Sequence, residues 1–149
     1  MSDGIYARHS PYLDRYVQVG LASGRVISVS FSEEPDPDAG TEHDLLDRIE
    51  AYLEGVEDDF TDVTVAFTVG GDDRGVLETT REVPYGEDVT VAALARMTPG
   101  LDAEADEETV REALAANPAP LLVPDHRVRD GPSAAPPAVV QKLRQVENL

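Results

Sequence analysis

Cysteine is absent from this 149-residue chain, which excludes disulfides, thiolate metal sites and thiol nucleophiles. Lysine is almost absent: Lys142 is the only one, and the other basic residues are arginines. No apolar run approaches the roughly 18 residues of a membrane span. The N-terminal "MSDGIYARHSPY" has neither the basic nor the apolar region of a signal peptide, so a cytoplasmic location and no membrane partner are expected. His9, His43 and His126 are scattered without ligand spacing, so neither a metal nor a cofactor is expected.

What is present is apolar enough to fold and strongly acidic. Apolar residues make up 41% of the chain, too many for a disordered acidic tail. The length fits one domain or two small lobes sharing a core. Thirty Asp and Glu against twelve Lys and Arg give a formal charge of -18. Such an excess of acid, with so little lysine, resembles proteins of salt-loving archaea. There carboxylates keep the surface hydrated while the Debye length shrinks to about 3 Å or less. The alternative is an acidic mesophilic protein that avoids nucleic acid.

Periodicity outlines the elements. Val17, Val19 and Leu21, then Ile27, Val29 and Phe31 after the Ser23-Gly24 turn, alternate as a hairpin with one buried face. The acidic, proline-containing "SEEPDPDAGTEH" is a loop. Thr41 and Asp44 suggest a capping box for a helix bearing Leu45, Leu46, Ile49 and Leu53, which Gly55 ends. Val63, Val65, Phe67 and Val69 alternate as a further strand. Beyond Asp73, Val76, Thr80 and Val83 have helical spacing up to Pro84-Tyr85-Gly86. Short helices follow over 90–97 and 106–117, then a flexible "GPSAAPPA" and a closing helix over 139–146. The expected fold is α+β: a small sheet-plus-helix lobe over 1–82 and a helical lobe over 83–149. The pair of short helices reads either as plain packing or as a helix-turn-helix whose second helix enters a DNA groove.

Chemistry concentrates in "NPAPLLVPDHRV", residues 117–128, where an acid and a histidine follow a short apolar run. "VPYGEDVTVAALARM", a helix ending in "NPAP", then "LLVPDHRV", a Gly/Ser/Pro loop and a last helix resemble, in order and spacing, the O6-alkylguanine-DNA alkyltransferase family over about residues 83–147. The resemblance implies that family's fold, with a small N-terminal domain. It also implies a site in which a cysteine thiolate, activated by a neighbouring histidine and a C-terminal glutamate, accepts an alkyl group from a flipped guanine.

Carried over by position, Pro84, Gly86 and Glu87 lie in the turn, and Asn117 and Pro118 form the hinge. Pro124, His126, Arg127 and Val128 flank the acceptor, and Glu147 is the C-terminal glutamate. Asp125 stands where the acceptor cysteine would be, Val91 where a backbone-distorting tyrosine would be, and Glu108 where an arginine finger would be. A hard carboxylate is a poor substitute for a soft thiolate. Asp125 either satisfies nearby backbone amides or pairs with Arg127.

Three functions are compatible with these residues. One is a cysteine-less alkyltransferase-like lesion binder. Another is a scaffold-only module with a protein partner. The third is dealkylation through an Asp125 ester. From Asp102 to Glu112 there are six acids against Arg111, a net of -5 on the segment that would face phosphates. Arg127 and Arg129 supply the nearby positive charge, so DNA binding is expected to be weak. A monomer is expected.

Overall fold

A computed structural model describes residues 3–67 and 70–149. Three antiparallel strands, β1 (Gly4–Ser10), β2 (Arg15–Ala22) and β3 (Arg25–Ser32), form a sheet in the order β1-β2-β3. Among the described residues five α-helices follow: α1 (Asp44–Leu53), α2 (Gly71–Thr80), α3 (Val91–Met97), α4 (Glu107–Ala115) and α5 (Pro137–Val146). The α+β class expected from the sequence is what the chain adopts. None of the described helices is long and apolar enough to cross a membrane.

The sheet departs from the expected pattern in three places. β1 was not legible, because "GIYARHS" places only weak apolar alternation on an edge strand. Its outer edge is partly covered: Ala7 N–H donates to Gly40 O at 2.8 Å and Gly40 N–H to Ile5 O at 2.9 Å. Ile27 is exposed and Val26 is buried, contrary to the alternation expected of β3. The register pairs Gly20 with Ser28 but Leu21 with Val26. Ile27 is thus the extra residue of a bulge, and the inward phase shifts by one. Finally, the strand expected over 63–69 is reduced to one bridge, Val65 with Val26; Thr68 and Val69 lie outside the described residues.

α1 closes the open face of the sheet. Leu45, Leu46, Ile49 and Tyr52 are all buried, at the spacing that keeps one stripe of a helix facing inward. Its N-cap is His43, whose Nδ1 accepts from Leu45 N–H at 3.0 Å, so the capping box expected at Thr41 and Asp44 does not form. At the other end Gly55 adopts φ +108°. Its N–H reaches Tyr52 O, and Val56 N–H reaches Ala51 O, both at 3.0 Å. This is a Schellman closure, which needs the left-handed conformation glycine takes most readily.

Two apolar clusters organise the rest. The larger joins β2, β3 and α1 to Leu121, Leu122 and Val123 and to Val139 and Leu143 of α5. The smaller gathers Val76 of α2, Val91 and Leu94 of α3, Val110 and Leu114 of α4, and Val128. Arg81, just past α2, links distant segments. Its guanidinium donates to Phe60 O at 2.7 Å, Val63 O at 2.8 Å and Leu122 O at 3.2 Å. Burial pushes its pKa down, so the carbonyl dipoles are what hold the charge in place. Arg81→Met keeps the aliphatic stem and deletes all three donors. It is expected to lower unfolding free energy by about 2–4 kcal/mol in urea titration. An unchanged midpoint would mean that the carbonyls find other partners.

Candidate functional site

The segment leading into the site is stapled by one side chain. Asn117, buried just beyond α4, accepts from Ala119 N–H through Oδ1 at 3.0 Å. Its Nδ2 donates to Val123 O and to the Asp125 carboxylate, each at 3.0 Å. Pro118 O accepts from Val29 N–H at 3.0 Å, which pins the same segment to β3. Between these anchors Leu121 is buried with φ +82°, a conformation that disfavours a bulky residue and persists because its surroundings fix it. The chain then enters a single 3-10 turn, Asp125–Arg127, with all three residues buried.

Asp125 is 1% exposed and both carboxylate oxygens are occupied. Ser133 Oγ–H donates to Oδ1 at 2.5 Å, while Ala134 N–H and Asn117 Nδ2 both donate to Oδ2 at 3.0 Å. Burial raises its pKa, and these three donors only partly offset that. Of the two arrangements open from the sequence, the structure shows the backbone-amide one; Arg127 is committed elsewhere. The loop over 131–136, expected to be flexible, is instead tied down by Asp125. Gly131 admits it to the interior, since a Cβ there would lie 3.0–3.1 Å from Leu114, Val128 and Val91.

Beside Asp125 lies a second, charged centre built on Glu147. Arg127 Nε donates to its Oε1 at 2.8 Å and Nη2 to its Oε2 at 3.1 Å. Gly86 N–H donates to Oε1 at 3.0 Å, His126 Nε2 lies 2.6 Å from Oε2, and the Tyr52 hydroxyl donates to Oε2. Burial alone would favour the neutral acid, but the His126 and Arg127 bonds prevail and hold the pKa at about 2. The same burial, with Glu147 adjacent, pushes the Tyr52 hydroxyl pKa far up, so it stays a donor. With Nε2 directed at a carboxylate, His126 is left with a buried Nδ1 that has no hydrogen-bond partner among the described residues. Arg127 also donates to Val83 O at 2.8 Å and lies 5.7 Å from the Tyr85 ring.

Asn117, Asp125, His126, Arg127 and Glu147 therefore converge, whereas three other singled-out positions lie apart. Val91 is buried in the smaller cluster, its N–H on Asp130 Oδ1 at 2.7 Å. Glu108 is exposed in the first turn of α4. Arg129 is exposed and pairs with Asp88 at 2.8 Å. Tyr52 and Ser133 were not anticipated. Tyr52 fits the buried stripe of α1, and nothing in a Gly/Ser/Pro loop marks one serine as a ligand of a distant acid. No group of three or more His, Cys, Asp or Glu suited to a metal occurs among the described residues.

The fold is that of the O6-methylguanine methyltransferases. The chain superposes on the crystal structure of Mycobacterium tuberculosis O6-methylguanine methyltransferase with a TM-score of 0.74, covering 97% of this chain and 92% of that one at 19% identity. It superposes on the enzyme of the hyperthermophilic archaeon Pyrococcus kodakaraensis with a TM-score of 0.73, covering 98% and 100% at 20% identity. A further match, at TM-score 0.73 and 18% identity over 97% and 91%, is to Mycobacterium tuberculosis OGT in complex with DNA. In sequence, a methylated-DNA–protein-cysteine methyltransferase of Methanopyrus kandleri is 40% identical over 88 residues, spanning 59% of this chain and 63% of that protein. Residues 73–135 match the family model described as the 6-O-methylguanine DNA methyltransferase DNA binding domain.

Two consequences follow for the buried carboxyls. The Glu147 pKa lies below the ordinary 4.5, so its stabilisation is full above that value and is lost as pH falls toward about 2. Glu147→Gln should cost about 3–5 kcal/mol at neutral pH and flatten the acid limb of a stability–pH curve, measured by urea titration. Asp125 has the opposite sign: its raised pKa makes its contribution full below the ordinary value and lost as pH rises through the folded one. Asn at 125 can accept from Ala134 and Asn117 and donate to the Ser133 oxygen. Asp125→Asn should therefore melt no lower than the parent at mildly alkaline pH, and Asp125→Ala clearly lower.

Proposed function

We propose that this chain is a catalytically silent member of the O6-methylguanine methyltransferase family, which engages DNA weakly through α3 and α4 and does not remove alkyl groups from it. The observation that carries this reading is the closure of Asp125: 1% exposed, with both oxygens held by Ser133, Ala134 and Asn117. Alkyl transfer requires an accessible nucleophile in line with the alkyl carbon. Here the acceptor position holds a hard, occupied carboxyl that burial biases toward its neutral form. The same closure weighs against dealkylation through an Asp125 ester.

DNA engagement rests on the family match over residues 73–135, which contains both helices. We read α3 and α4 as a helix-turn-helix with a nine-residue connection, over 98–106, carried by the 83–149 lobe of a monomer. Glu108 and Glu112 are exposed on α4, and Arg111 is engaged by Glu107 at 3.5 Å. Phosphates would thus meet like charge, so the counterion-release contribution is small. That charge favours a second reading, in which the lobe is a scaffold for a protein partner. The acidic surface as a whole is read as an adaptation to concentrated salt, where screening reduces self-repulsion.

Fluorescent duplexes with and without O6-methylguanine, titrated in high potassium chloride, separate the readings. Weak binding that prefers the modified base supports lesion recognition, and silence on both duplexes supports the scaffold. Neither case should show a methyl mass gain on Asp125 by peptide mass spectrometry; such a gain would overturn catalytic silence. Asp125→Cys alone should not restore transfer, because Val91 and Glu108 remain. Recovery by that single change would show that those two positions matter less than argued.

A further inference from the structure

The sheet and α1 do not meet everywhere. Between the β1–β2 turn and α1 lies a cavity of about 250 Å³, remote from Asp125 and from α3 and α4. Its floor is apolar: Val17, Leu46 and Ile49 are each at most 3% exposed, with Leu53 beside them. At roughly 30 Å³ per water it holds about eight waters' worth of volume, enough for a single aromatic ring with a short chain. An apolar floor with few polar partners hydrates poorly, which is the usual character of a small-molecule site.

The rim selects the charge. Arg8 and His9 are the basic side chains lining it, and the Arg8 guanidinium is committed to Asp47 at 2.7 Å, Glu50 at 3.1 Å and Thr41 O at 2.8 Å. Ser10 Oγ accepts from Leu13 N–H. Tyr12 donates to Lys142 O, and the Lys142 ammonium lies 5.5 Å from its ring. Glu50 is already shared with Arg8, so Glu54, the C-cap of α1, leaves carboxylate charge at the opening, and the chain's net charge of -18 adds to the same field. We propose that this cavity binds a small organic cation, its apolar body against Val17, Leu46, Ile49 and Leu53 and its ammonium at Glu54.

Phenethylammonium, phenethyl alcohol and phenylacetate share one ring and differ in charge, and amide chemical shifts of the full chain report their binding. Phenethylammonium should produce saturable shifts at residues 8–13 and 46–54, with the alcohol weaker and the carboxylate weakest. Glu54→Gln should weaken the ammonium by roughly twofold to fivefold, the scale of an exposed ion pair, and leave the alcohol unchanged. Leu53→Trp, which fills the cavity from its partly exposed side, should abolish binding of all three while shifts elsewhere stay native. If that variant does not fold, Glu54→Gln still decides. Absence of saturable shifts with the parent protein, equal binding of carboxylate and ammonium, or undiminished binding to a folded Leu53→Trp would each overturn the proposal.

Discussion

Glu147 is the constraint around which the structure is assembled. Its side chain has no exposed surface, and five donors from three separate parts of the chain converge on it: Tyr52 of α1, Gly86 of the turn before α3, and His126 and Arg127 (twice) of the 125–127 turn. A carboxylate so far from water would favour protonation unless each lone pair were matched by a well-placed donor. It is matched, and the match requires α1, the 83–87 turn, the 125–127 turn and the end of α5 to arrive together. None of these segments can shift without leaving a charge unpaired. A buried ion pair of this kind adds little net stability over apolar packing, but breaking it is costly. Here it holds the last residues of the chain against elements some sixty to ninety-five positions earlier.

How much of this could be read from residues alone depends on the range of the interaction. Helix positions were legible because amphipathic stripes such as Leu45, Leu46 and Ile49, or Val110, Ala113 and Leu114, are local patterns. The bulge at Ile27 was not, because nothing in β3 itself says that Gly20 and Leu21 are paired out of step. The further strand failed because alternation makes a segment compatible with a sheet and cannot supply a neighbour to pair with. At the site, Asn117, Asp125, His126, Arg127 and Glu147 were identified through order and spacing. Tyr52 and Ser133 escaped, since each acts across a distance that only the fold closes. Val91 and Glu108 were singled out as substituted positions, and neither joins the buried network.

Asp125, proposed to occupy the acceptor position, is held in a way that a nucleophile would not be. A thiolate at 125 would need a free approach and a base. The aspartate needs donors, and the loop supplies two of them, from Ser133 and Ala134, while the hinge Asn117 supplies the third. Asp125 is thereby a clamp between Asn117 and the loop that carries Ser133 and Ala134. The His126–Glu147 pair remains, yet the imidazole Nδ1 faces no protein partner. An orphaned buried nitrogen costs on the order of 1–3 kcal/mol. That cost stands beside an otherwise well-satisfied network on Glu147, as expected under the proposed loss of a partner at position 125.

Charge supplies the remaining step. On the interior, every described carboxylate that is deeply buried has donors: Glu147 takes arginine and histidine, and Asp125 takes a hydroxyl and amides. On the surface the surplus is left to solvent, as on α4 with Glu108 and Glu112. Acid therefore lies where hydration can carry it, and in the core only where donors compensate it. α4, the helix proposed to meet DNA, lies on that same surface and shares its charge. Concentrated salt weakens both the repulsion from phosphates and the counterion gain that ordinarily drives binding. Shape and contacts to bases would then have to supply what charge does not, which is a stricter demand on α4 than on the recognition helix of a basic relative.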